Sequence, residues 1–398
     1  MEEMFWKLQE NILTKEDLKN LVDYLYSTNR YTQFTQVKKF EEDYSKWQGC
    51  KHSVYVNSGS SANLILISAL KQRYGWKEGD EIIVPPVTWV TNISPIMQCG
   101  LVPVFVDINL EDLSFDYDKL AKSITPRTKG IFVTHLIGVP ADMKKINEIA
   151  KQHKLTVMED SCESHGALLE NGVKIGNASV ASTFSFYWGH HMTTIEGGML
   201  CTDDKTLYHD FLLKRSHGLA RELPIETHEG HKQAHKEIDF NFLFLTDGFN
   251  FRNTELNATL GISQLKKLDD YIRIRNDNYQ RFLEICRPYS DELILIDKPG
   301  ISSFSLPFIF KKKGKSKEFQ KILQDRGIEN RPMISGNLLR QPFLKHLGHN
   351  HENFPNAEHI HHNSFYIGNN QFVNEERLGV LAKVMQEHFS PQTLVAEQ

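Results

Sequence analysis

The sequence predicts an α/β protein: a large, mixed but mostly parallel sheet covered by helices on both faces, followed by a smaller α+β region. Three observations carry this. Short apolar runs alternate with helical patterns from residue 53 to residue 160, the pattern turns helical after Asp204, and a fresh strand-like run begins at Ser303. Short apolar strands separated by helices imply parallel pairing with both faces buried. At 398 residues the chain is long enough for two cores.

The elements follow in order. Thr14-Lys15-Glu16-Asp17 reads as a capping box opening an amphipathic helix to about Ser27, and a second helix covers roughly Gln36 to Trp47. Ser53–Val56 is the first strand, followed by a Gly/Ser turn and a helix from about Ser61. Glu81–Pro85, Val102–Asp107, Gly130–Thr134 and Leu155–Glu159 are four more strands. Residues from about Thr254 to Ile285 read as two consecutive helices, and Ser303–Phe310 starts the smaller region. The boundary is expected near residue 270, inside a helix, giving a large region 1–270 and a small one 271–398. The polar residues from about Ser390 are expected to fray.

Composition narrows the function. The chain has 46 basic and 50 acidic side chains, so it lacks the basic excess of a nucleic-acid binder. No apolar run approaches the ~20 residues that cross a bilayer, and the start, Met1-Glu2-Glu3-Met4, is unlike a secretory leader. The expected setting is the cytoplasm, with neither nucleic acid nor membrane as partner. The five cysteines are scattered without CxxC spacing, and the histidine-rich stretches 228–235 and 349–362 fit no zinc pattern. No metal site is expected, and those histidines are read as solvated loops.

Four constellations carry chemistry. Asn57-Ser58-Gly59-Ser60-Ser61-Ala62-Asn63 lies between a strand and a helix, where backbone N–H groups make an anion site or an ordinary capped turn. Asp160-Ser161-Cys162-Glu163 follows the fifth strand, the place where open α/β sheets bind ligands. An aspartate there suits a protonated pyridine nitrogen, or a helix cap. Ser185-Phe186-Tyr187-Trp188-Gly189-His190-His191 sets a histidine pair among aromatics; as strand neighbours the two would face opposite ways. Gly248-Phe249-Asn250-Phe251-Arg252 precedes a helix.

In this order and spacing the four motifs resemble the DegT/DnrJ/StrS sugar aminotransferases, from about residue 10 to about residue 385. The resemblance implies the aspartate aminotransferase-like fold (pyridoxal phosphate fold type I) and a homodimer with shared active sites. It implies pyridoxal 5'-phosphate (PLP) and its pyridoxamine form (PMP) as cofactor, held by Gly59, Ser60, Trp89, Asp160, Glu163, Ser185 and Asn250, the last reaching the neighbouring subunit's cofactor. Arg252 and Arg331 are the implied substrate-binding residues.

One position departs from that pattern. Five residues after Ser185, where the family carries the lysine that anchors the cofactor, stands His190. The change is similar to that in a branch of sugar 3-dehydratases, matched also by Ser216-His217-Gly218, Arg331-Pro332 and Gly368-Asn369. A related branch holding an iron–sulfur cluster has clustered cysteines that are absent here. The resemblance implies removal of the C3 hydroxyl from a nucleotide-linked 4-keto-6-deoxy sugar, GDP-4-keto-6-deoxymannose first. L-glutamate regenerates PMP, with 2-oxoglutarate and ammonia released. Imidazole forms no imine but is a base near neutral pH, so His190 is the implied base, with His217 and Tyr187 as candidate acids. A GDP-linked 6-deoxy-4-ketoheptose as substrate, or plain amino transfer through another lysine, are the alternatives.

Overall fold

The computed structural model describes residues 4–389. The expected fraying from Ser390 lies outside the described residues. Helix α1 (Lys15–Ser27) begins at the Thr14 capping box, with the Thr14 side chain accepting from the Asp17 amide and the Asp17 carboxylate accepting from the Thr14 amide. Asp17 is fully buried because the same carboxylate also binds Ser263, Gln264 and Lys267. Helix α2 (Thr35–Gln48) ends at Gly49, whose φ of 87° closes the helix in the left-handed region.

Seven strands form the large sheet: β1 (His52–Val56), β2 (Glu81–Val84), β3 (Val102–Phe105), β4 (Thr128–Thr134), β5 (Thr156–Asp160), β6 (Ala181–Ser185) and β7 (Gly198–Thr202). Their spatial order is β1-β7-β6-β5-β4-β2-β3. Pairing is parallel from β6 through β3, and β7 runs antiparallel to both neighbours. Nearly every residue of β4 to β7 is buried, as expected of strands covered on both faces.

Helix α3 (Gly59–Tyr74) starts two residues earlier than the sequence suggests, because Ser58 rather than a later serine is the cap: its hydroxyl accepts from the Ser61 amide. The histidine-rich stretches are also corrected. Residues 228–234 and 359–362 lie on the helices Ile225–Ala234 and Pro355–Asn363, not in loops, because the intervening residues keep good helix propensity.

The second sheet, β8 (Ser305–Ile309), β9 (Asn330–Pro332) and β10 (Ser364–Gly368), has the order β8-β10-β9 and is wholly antiparallel. Its core gathers Phe308, Phe310, Phe319, Phe365 and Ile367 with Phe282 and Leu283 of the helix Leu268–Cys286. Trp6 is buried in the same core and its indole donates to the Gly368 carbonyl, so the first described residues pack with the small sheet rather than with the large one. Among the described residues no helix is long and apolar enough to cross a membrane.

Candidate active site

The carboxyl ends of β4, β5 and β6 open into a cavity of about 510 Å³, closed from the other side by Phe304, Arg331, Ile334 and Tyr366 of the small region. Nine residues singled out from sequence line it: Gly59, Ser60, Trp89, Asp160, Glu163, Ser185, Tyr187, His190 and Arg331. His217, Asn250 and Arg252 do not.

One wall is the first turn of α3. Its N–H groups have no acceptor within the helix and carry the positive end of the dipole, so Gly59 and Ser60 present donors for an anion. Position 59 admits only glycine, since a Cβ there would stand 2.7 Å from the Ser185 Cβ. This closeness sets the Ser185 hydroxyl beside the same turn.

Asp160 ends β5 and is 5% exposed. One carboxylate oxygen accepts from the side-chain amides of Asn63 and Asn92, each at 2.9 Å, and the other from the Cys162 backbone N–H at 2.9 Å. Asn63 is itself oriented by the Thr183 hydroxyl. A carboxylate oriented this firmly can hold a cationic N–H at a fixed place. Asn63 closes the Asn57–Asn63 motif, but the sequence marked neither its role toward Asp160 nor that of Asn92, because both depend on α3 and the Thr88–Asn92 loop converging on β5.

Glu163 accepts the Ile137 N–H at 2.9 Å. Burial, with the Asp160 charge adding to it, pushes this carboxyl up to about 8, so it carries a proton at neutral pH.

Strand β6 ends at Ser185, so His190 and His191 lie in the loop to β7 and not side by side on a strand. The loop turns back on itself with the His190 amide donating to the Tyr187 carbonyl, and both rings lie near Phe304, though only His190 lines the cavity. The His190 ring lines the cavity next to Phe304, with centroids 5.4 Å apart, and its Nδ1 has no protein partner. His191 is fully buried with Nε2 at 3.2 Å from both the carbonyl and the hydroxyl oxygen of Ser302. Burial, and secondarily the Arg275 guanidinium, push His190 down to about 3. The imidazole is thus neutral and able to accept a proton, though as a weaker base than a free histidine until an anion enters the cavity. Arg275 donates to the His190 carbonyl and to the carbonyls of Phe304 and Asn369, tying this loop to the small region. Gln9 also lines the cavity, and a Cβ at Gly189 would collide with its side chain; no sequence signal marked that N-terminal contact. Among the described residues no lysine lines the cavity.

His217, a candidate acid, does not line the cavity of its own chain. Residues 216–219 pair with 244–250 (Ser216 with Asn250, Leu219 with Phe244), and Arg252 pairs with Val56. That ribbon carries His217 out to an exposed strip shared with Asn250 and Arg252.

Sheet order, the small antiparallel region and a cleft between them define the class: an α/β enzyme of the pyridoxal phosphate fold type I. The chain belongs to the DegT/DnrJ/EryC1/StrS aminotransferase family, whose profile matches residues 12–385. It is 36% identical over 377 residues to the GDP-4-keto-6-deoxy-D-mannose 3-dehydratase of Yersinia pseudotuberculosis, covering 92% of this chain and 95% of that protein. Among solved structures it is similar to the E. coli GDP-4-keto-6-deoxy-D-mannose-3-dehydratase with bound hydrated PLP, with a TM-score of 0.87 and 34% identity, covering 96% of this chain and 100% of that one. A structure of GDP-4-keto-6-deoxymannose-3-dehydratase with a trapped PLP-glutamate geminal diamine matches with the same score, identity and coverage.

Proposed function

We propose that this chain is a PLP/PMP-dependent 3-dehydratase that removes the C3 hydroxyl of GDP-4-keto-6-deoxymannose at the expense of glutamate. The observation that carries this reading is a cavity of the aminotransferase type in which a histidine, and no lysine, lines the position of the base. The named relatives support the substrate and the use of glutamate.

The donor set fits such a cofactor. The α3 first turn and Ser185 suit its phosphate, Asp160 its ring nitrogen, and Trp89 a ring face, while Gly59 leaves the space a Cβ would fill. When bound, PMP supplies an amine for the C4 ketone and a ring that takes up an electron pair. Asp160 keeps a proton on the ring nitrogen, which favours that uptake. His190, packed beside Phe304 and with its carbonyl bound by Arg275, would accept a proton from the carbon bearing the amine, and its imidazole, unlike a lysine amine, forms no imine. The hydroxyl at C3 is then free to leave in place of amino transfer. Glu163, protonated at neutral pH and lining the cavity, would donate a hydrogen bond to the bound cofactor. Tyr187 and Arg331 line the outer cavity, where the sugar and its phosphates enter.

The working unit is a homodimer with shared sites. Asn250, Arg252 and His217 lie on the exposed strip beside Phe242 and Phe244, which are 65% and 56% exposed, and a second copy docking there would bring them to its own cavity. The five free, scattered thiols suit a reducing compartment, and we assign the protein to the cytoplasm.

The test is mass spectrometry of products from GDP- and CDP-linked 4-keto-6-deoxy sugars incubated with PLP and glutamate. A 4-keto-3,6-dideoxy product from the GDP sugar, with ammonia and 2-oxoglutarate in equal amounts, is expected. An amino sugar product overturns the reading.

A further inference from the structure

Cys50 and Cys201 lie far apart in sequence and outside the cavity, yet their sulfurs share one hydroxyl. Cys50 sits in the loop between α2 and β1, and Cys201 on β7 opposite Ser53. The Ser53 Oγ stands 3.5 Å from the Cys50 sulfur and 3.4 Å from the Cys201 sulfur, and the Ser45 hydroxyl lies 2.8 Å from the same oxygen. Cys50 is partly exposed, whereas Cys201 is fully buried. Two thiols on one short hydroxyl chain, one reachable from solvent and one behind it, form the arrangement of an attacking and a resolving cysteine.

The remaining thiols lack that setting. Hydrogen bonding with the Cys201 thiol, then with the linked Ser53 and Ser45 hydroxyls, pulls the Cys50 thiol down to about 7, against burial and the nearby Asp203 charge. Burial pushes Cys99, Cys162 and Cys286 the other way. Only at Cys50 does hydrogen bonding outweigh burial, so only there is a thiolate accessible near neutral pH.

We propose that Cys50 and Cys201 are a reversible oxidation site for hydroperoxides. The Cys50 thiolate attacks one peroxide oxygen, the O–O bond breaks and hydroxide leaves, taking up a proton. Cys50 becomes a sulfenic acid. The Cys201 sulfur then attacks the Cys50 sulfur, its proton goes to the departing hydroxyl, and water leaves. Two thiols and one hydrogen peroxide yield one disulfide and two waters. The bond ties the exit of α2 to β7, the strand that follows the His190 loop, and leaves the residues of the cavity in place.

The experiment uses the full chain loaded with cofactor. In untreated protein, limiting iodoacetamide followed by peptide mapping should label Cys50 before the other cysteines. After hydrogen peroxide, a non-reducing digest should contain a Cys50–Cys201 linked peptide that dithiothreitol separates, with a higher melting temperature before reduction. In Cys201→Ala, dimedone should trap the sulfenic acid at Cys50. The labelling order and the linked peptide are read on the wild-type chain, so a poorly folding variant does not blunt the test. Labelling of Cys99 or Cys162 first, or oxidation of Cys50 without the link, overturns the proposal.

Discussion

The cavity around His190 and the strip around Asn250 are both built from motif residues, but the chain finishes only one of them. At the cavity the carboxylates and the histidine loop meet specific neighbours: Asp160 has three donors, Glu163 an amide, and the His190 loop the Arg275 guanidinium. At the strip, Phe242 and Phe244 face solvent and the Asn250 side chain accepts from Arg252, two residues on. Large exposed aromatics beside unengaged polar motif residues mark a surface made to be covered. The contrast is that a conspicuous motif can lie outside the cavity of its own chain.

The largest effect is expected at the cavity. His190→Asn should keep PLP, since the phosphate and ring contacts lie on other elements, while turnover falls by ~10²–10⁴-fold, the range for removing a general base. Absorbance for bound cofactor beside product assays checks this, and near-normal turnover would break the cavity's claim to the chemistry. The next concerns the strip. Phe242→Asp with Phe244→Asp should shift the protein to a monomer in size exclusion and lower turnover by ~10-fold or more, as for lost interface anchors. Mixing Asn250→Ala chains with His190→Asn chains sharpens the contrast: activity regained in mixed dimers means that the strip serves the partner's cavity.

A smaller effect is expected from Gly59→Ala. Its Cβ would meet Ser185 at 2.7 Å, so the α3 turn must shift at a cost of roughly 1–3 kcal/mol, read as weaker PLP binding by titration. The smallest are at Glu163 and His191. The raised Glu163 carboxyl adds stability that is complete below about pH 4.5 and is lost as pH rises towards 8. Melting curves of the cofactor-free chain should fall across that window, and Glu163→Gln should flatten them. His191→Asn should cost about 1 kcal/mol, the scale of one hydrogen bond to Ser302, with little change in turnover. Inactive His191→Asn beside active His190→Asn would reverse the assignment of the two rings.

Legibility followed the range of the forces involved. The Thr14 box and the strands β1 to β5 were readable because capping and short apolar runs are local signals. The start of α3 was read two residues late because three serines competed as caps and only packing against Ser185 selects Ser58. The roles of Asn63, Asn92 and Gln9 were not legible because each acquires its role from a residue brought close only by the fold.

By itself the sequence determined the alternation of strands and helices, the order of the four motifs, and the histidine where the aminotransferases it resembles carry a lysine; these are facts of spacing and residue type. Only the tertiary structure decided that His190 faces the cavity while His191 faces Ser302, that Asp160 is gripped by two asparagines, and that Asn250, Arg252 and His217 leave the cavity for an exposed strip. The physical reason is that orientation, burial and proton affinity are set by neighbours distant in sequence. Arg275, 85 residues beyond His190, holds its loop and, with burial, lowers its affinity for a proton.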